Sequence, residues 1–156
     1  MSIHQVLVVV FMFLIQQSAR DSFWVGSWLK IPGTLTHELA HLLIGFLSNA
    51  KPVTLSVLPK REGKSIIFGE VTFTNIAWYN AVITGLAPLL LIFVSLSLDR
   101  YARTIPDVMH NVFWAFIEAN LLLSSIPSPT DLRIALRYSL LPAFIVVFAF
   151  VLLRLH

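Results

Sequence analysis

Five apolar runs, at roughly 3–19, 31–47, 76–98, 108–126 and 139–155, fill most of this 156-residue chain and leave short polar connectors between them. About 20 apolar residues at 1.5 Å rise match the hydrocarbon thickness of a bilayer. The chain is 57% hydrophobic and only 12% charged, with mean hydropathy +0.82, whereas soluble domains carry about 25% charged residues. These features predict an all-α membrane protein with about five transmembrane helices. It is expected to be a single domain over 1–156, multi-pass in the cell membrane (the inner membrane if the source is a Gram-negative bacterium). The first run reads as an uncleaved span, because its leading residues include His4 but no Lys or Arg.

The net charge of +3 comes from Lys and Arg scattered through the connectors. That pattern suits anionic lipid headgroups and gives no reason to invoke nucleic acid. Cysteine is absent. Disulfides, thiolate metal ligands and a cysteine nucleophile are therefore excluded, and any metal must be held by His, Asp, Glu or water.

Residues 51–75 have a different period. Val53, Leu55 and Val57 alternate with Thr54 and Ser56, and Val71 and Phe73 alternate with Thr72 and Thr74. Alternation of period two predicts strands. With the charged turn Pro59-Lys60-Arg61-Glu62-Gly63-Lys64 between them, the segment predicts a membrane-associated β-hairpin over 53–74, with Gly69 as a bulge.

The second run carries His37-Glu38-Leu39-Ala40-His41, an HExxH pattern. On a helix, positions i and i+4 share a face, so both imidazoles can grip one metal ion. The carboxylate after the first ligand is then placed to act as general base on the attacking water. With 5 His and 4 Glu among 156 residues, the pattern arises by chance roughly 0.004 times in such a chain. Buried histidines that only bridge helices would leave Glu38 without a purpose in an apolar run, where ionisable groups are costly.

Catalytic zinc takes three protein ligands and keeps one position open. Glu70, His110, Glu118 and Asp131 are the candidates for the third. Asp131 follows Ile126-Pro127-Ser128-Pro129-Thr130. The two prolines are expected to end a helix and hold irregular backbone that turns a carboxylate inward. Glu118 is expected to be a buried polar partner, and Asn80 a helix–helix contact.

Taken together, HELAH in one run and a later run closing on Asn120 and Pro127-Ser128-Pro129-Thr130-Asp131 resemble the site-2 protease family of intramembrane zinc metalloproteases. Thr84-Gly85-Leu86-Ala87-Pro88 is similar to that family's Gly-Pro helix, although here Leu86-Ala87 splits the pair, and Leu132 follows the Asp where the family has Gly. The resemblance covers about residues 30–135 and implies a minimal member without a PDZ domain. It implies one Zn²⁺ held by His37, His41 and Asp131, with Glu38 as the catalytic base and Asn120 binding substrate or the transition state. The implied substrate is a transmembrane protein cut in or beside the lipid bilayer, with room for a regulatory membrane partner. The rival readings are a metal transporter or sensor and an inactive scaffold of the same fold. A transporter would spread its ligands through several spans, and a scaffold would not need Glu38.

Overall fold

The computed structural model describes residues 3–18, 23–58, 60–62, 65–67, 69–102 and 108–155. In chain order the elements are α1 (Ile3–Ser18), α2 (Phe23–Leu47), β1 (Pro52–Ser56), β2 (Lys60–Glu62), β3 (Ser65–Ile67) and β4 (Glu70–Phe73). There follow α3 (Ala81–Gly85), a 3-10 turn (Ala87–Leu89), α4 (Leu90–Ala102), α5 (Val108–Ser124) and α6 (Pro129–Leu155).

Among the described residues no helix is long and apolar enough to cross a membrane. This finding overturns the expected five-span, multi-pass membrane architecture and the membrane placement drawn from it. The physical reason differs from run to run. At 1.5 Å per residue, α1 (16 residues) and α5 (17 residues) reach only about 24–26 Å. The run at 76–98 is not one helix: α3 has 5 residues, Pro88 sits in the 3-10 turn, and α4 has 13 residues. Proline lacks the N–H that would continue the α-helical ladder through this point. The 25 residues of α2 include Lys30, Pro32, His37, Glu38 and His41. The 27-residue α6 carries Asp131, Arg133 and Arg137 in its first turns and contains Pro142.

Two helix starts also move. The helix expected over 31–47 already begins at Phe23, so Pro32 lies well inside α2. The end of α2 falls at Leu47, and Asn49 beyond it takes the left-handed φ of 59° that suits a helix stop. The expected last helix at 139–155 begins ten residues early, at Pro129, so Asp131 lies in the first turn of α6 and not in irregular backbone.

Between α2 and α3 the chain forms antiparallel strands. β1 pairs with β4 in the register Thr54↔Thr72, Leu55↔Val71 and Ser56↔Glu70, and β2 pairs with β3 beyond them. The irregularity falls between Pro52 and Thr54 on β1, while Gly69 precedes β4 and is not a bulge. Of the expected charged turn, Pro59, Gly63 and Lys64 lie outside the described residues, as does Ala19 at the end of the first run.

Small residues make the interior. Ala40, Ala87, Leu91 and Leu121 form the core cluster, with Ile44, Leu98 and Ile117 against it. The small side chains of Ala40 and Ala87 let α2 and the 3-10 turn approach closely. Larger apolar side chains such as Leu39, Leu43, Phe46 and Phe93 point outward. Asn80 is fully buried and ties the connector before α3 to the turn after α2: its amide donates to the Asn75 and Ser48 carbonyls, and its Oδ1 accepts from the Ala77 N–H.

Candidate metal centre

One face of α2 carries Lys30, Gly33, Thr34, His37, Glu38 and His41, whose spacing of three, four and seven repeats the helical turn. These residues form one wall of a cavity of about 570 Å³. The opposite walls come from β4, the C-terminal end of α5 and the first turns of α6.

Asp131 enters this cavity by a local device. Ser128-Pro129-Thr130-Asp131 closes a capping box: the Ser128 hydroxyl accepts from the Asp131 N–H at 3.2 Å, and Asp131 Oδ2 accepts from the Ser128 N–H at 2.7 Å. Pro129 occupies the first helical position, where its missing N–H costs no bond. Asp131 is thereby fixed at the start of α6, and α6 is set against α3 through Gly85. A Cβ on Gly85 would lie 2.6 Å from the Asp131 carbonyl oxygen and 3.0 Å from the Ala135 Cβ, so the approach needs glycine.

Three metal-ligating groups meet there. His37 Nε2 lies 3.3 Å from Asp131 Oδ2, His41 Nε2 lies 3.1 Å from Asp131 Oδ1, and the two Nε2 atoms are 3.3 Å apart. Among the described residues, His37, His41 and Asp131 form the group of His, Asp and Glu side chains close enough to hold a metal ion.

The histidines are oriented by main-chain carbonyls. His37 Nδ1 donates to the Ser124 carbonyl at 2.7 Å, and His41 Nδ1 donates to the Thr84 carbonyl at 2.8 Å. A carbonyl only accepts, so each neutral imidazole carries its proton on Nδ1 and turns the Nε2 lone pair inward. With both imidazoles neutral, two lone pairs and a carboxylate therefore converge with no donor among them, an arrangement that suits a cation at their centre. Their spacing fits one: ligands about 2.0–2.1 Å from a tetrahedral ion stand about 3.3–3.4 Å apart. Two imidazoles with an oriented second nitrogen and one carboxylate also form a donor set suited to a divalent transition metal.

The electrostatics follow from burial and charge. Burial alone would raise the Asp131 pKa, but hydrogen bonds from the protonated imidazoles of His37 and His41, the charge of His41 and the Ser128 side chain hold it well below the usual carboxylate range. Burial alone would lower the His37 pKa. Its bonds to Asp131 and the Ser124 carbonyl, with the charges of Glu38 and Asp131, outweigh burial and raise it. Glu38 is 7% exposed, and burial pushes its carboxyl up despite the nearby histidines. Gly69, just before β4, lies directly over it: a Cβ there would come 2.5 Å from Glu38 Oε1 and 2.7 Å from the Thr34 Cγ2.

The other sequence candidates separate cleanly. Asn120 lines the cavity on α5 and is 3% exposed. Its amide donates to the Phe116 carbonyl at 2.9 Å, while its buried Oδ1 has no hydrogen-bond partner among the described residues. The free function is thus an acceptor, suited to a substrate N–H and not to an oxyanion. Glu70 lines the cavity from β4, whereas His110 and Glu118 lie outside its lining. Sequence reasoning missed the carbonyls of Thr84 and Ser124, for which no side-chain signal exists. It also missed the role of Ser128, whose signal, a hydroxyl three residues before an acid at a helix start, was present.

Comparison with known proteins supplies no relative: no family model matches the chain, and no curated protein or solved structure matches it.

Proposed function

We propose that this chain is a zinc-dependent endopeptidase of the site-2 protease kind. The observation that carries the reading is the convergence of His37 Nε2, His41 Nε2 and the Asp131 carboxylate, with Glu38 beside them in the same cavity. His37, His41 and Asp131 hold the ion, and bound Zn²⁺ supplies Lewis-acid chemistry that acidifies water and polarises a carbonyl.

The chain's own groups do the rest. Glu38 accepts a proton at its carboxylate from the attacking water and delivers it to the leaving amine nitrogen. Its raised pKa, caused by burial, suits both halves of that transfer. The Ser124 and Thr84 carbonyls keep both imidazoles facing the reaction. β4 has one edge paired with β1, and its second edge is unpaired among the described residues. An extended peptide can add to that edge as a further strand, with main-chain hydrogen bonds giving affinity and Asn120 Oδ1 accepting one substrate N–H. Val71, Phe73, Leu123 and Ile126 give the lining an apolar part, which suits apolar side chains of the segment. A membrane-protein source for that segment follows from the resemblance.

The test uses purified protein loaded with zinc and a set of apolar peptides. Cleavage that disappears in Glu38→Gln while zinc content stays at one ion supports the reading. Cleavage retained in that variant, or Asp131→Ala with undiminished zinc, refutes it.

A further inference from the structure

The cavity contains one lysine or arginine among its described lining residues, Lys30, and it stands on the same face of α2 as the metal-site histidines. Lys30 is half-buried there, not on the outer face. Seven residues separate it from His37 and eleven from His41, which is about 10–16 Å along a helix. β4 runs alongside α2. Gly69, just before β4, lies over Thr34 and Glu38, and Phe73 at its far end rests against Gly45, so strand and helix advance together. A segment added to the open edge of β4 therefore follows the α2 face, and its far end passes Lys30. At about 3.3 Å per extended residue, the interval from the site to Lys30 spans roughly three to five residues.

Building on the peptidase reading above, we propose that Lys30 selects substrates with a carboxylate, either an acidic side chain or a free C-terminus, three to five residues from the cleaved bond. A carboxylate held there fixes the register of the peptide on β4, because a slip of one residue would move it away from Lys30 and turn every side chain to the other face. The bond presented to Glu38 is thereby chosen by distance from a charge and not by the apolar residues around it.

The experiment scans a single Asp, and Asn as its neutral match, through an apolar peptide, with the C-terminus free or amidated. Cut sites are read by mass spectrometry with the zinc-loaded protein, and binding is read by fluorescence anisotropy with Glu38→Gln. The expected result is a cut site that moves with the Asp at a fixed offset of three to five residues, and a preference of roughly tenfold for Asp over Asn. The C-terminal arms separate a terminal carboxylate from a side chain. Lys30→Met brings the Asp-to-Asn ratio to near one, Lys30→Glu inverts it in favour of a Lys peptide, and Lys30→Arg keeps it. Cutting that ignores the Asp position, or a ratio unchanged in Lys30→Met, overturns this inference alone. A series that is neither bound nor cut overturns the peptidase reading and this inference with it.

Discussion

Replacing Gly85 with alanine tests whether the spacing of α3 and α6 sets the metal site. The added Cβ would stand 2.6 Å from the Asp131 carbonyl oxygen, short of ordinary contact at 3.4 Å by about 0.8 Å. It would also meet the Ala135 Cβ at 3.0 Å and the Ala135 nitrogen at 3.2 Å. All three obstacles belong to the backbone or Cβ of α6, so no side chain can swing aside, and the helix itself must move. Thr84, the residue before Gly85, holds His41 through its carbonyl, and the displaced helix carries Asp131. The substitution thus drives apart two of the three ligands, by more than the roughly 0.5 Å that a preorganised site tolerates. Loss of oriented ligation costs about 10- to 100-fold in metal affinity. The stability change is smaller, because overpacking costs about 1–3 kcal/mol while alanine in place of glycine returns about 1 kcal/mol in helix propensity. Zinc affinity from chelator competition and unfolding in denaturant separate the two effects. Wild-type zinc affinity in Gly85→Ala would refute the reasoning.

Three further outcomes follow from the same geometry. Ser128→Ala removes one half of the capping box and is expected to cost about 1 kcal/mol in denaturant unfolding; zinc affinity should fall less than in Gly85→Ala, since the Ser128 N–H still holds Asp131 Oδ2, and the reverse ranking would contradict this account. Asn120→Leu removes a buried carbonyl that lacks a partner, so stability should rise by about 1 kcal/mol while kcat/KM on peptides falls; unaffected cleavage would exclude Asn120 from substrate binding. For pH, the raised His37 pKa contributes stability that is complete below its ordinary 6.5 and lost as pH climbs through the raised value. The depressed Asp131 pKa contributes stability present above its ordinary 3.8 and lost only as pH falls toward the lowered value. Raised Glu38 adds a penalty above its ordinary 4.5. Metal-free protein should therefore be most stable between roughly pH 4 and 6.5 and lose Tm toward pH 8. Zinc requires deprotonated imidazoles, so the Tm gain on adding zinc should grow across that rise; an equal gain at pH 5.5 and pH 8 would count against these assignments.

Local features of this chain were legible in its sequence because their physics is local. His37 and His41 share a face because a helix returns every 3.6 residues, and the alternation at 53–57 and 71–74 marks strands because side chains alternate across a pleat. Asp131 follows a hydroxyl by three residues, which is all that a capping box requires. Hydropathy misled where a count of apolar residues stood in for an unbroken helix: 76–98 contains no charged residue, yet it splits at the Pro88 turn, and α2 interrupts its apolar run with the residues of the site itself. Only the tertiary structure brought Asp131 across a separation of 94 residues to His37 and chose two main-chain carbonyls to orient the imidazoles. It also laid β4 along α2 so that Gly69 covers Glu38. Every residue offers a carbonyl, and any strand can lie against any helix, so no pattern of letters marks which ones meet. That selection was made by close packing of alanines and glycines, whose small size decides how near two backbones come.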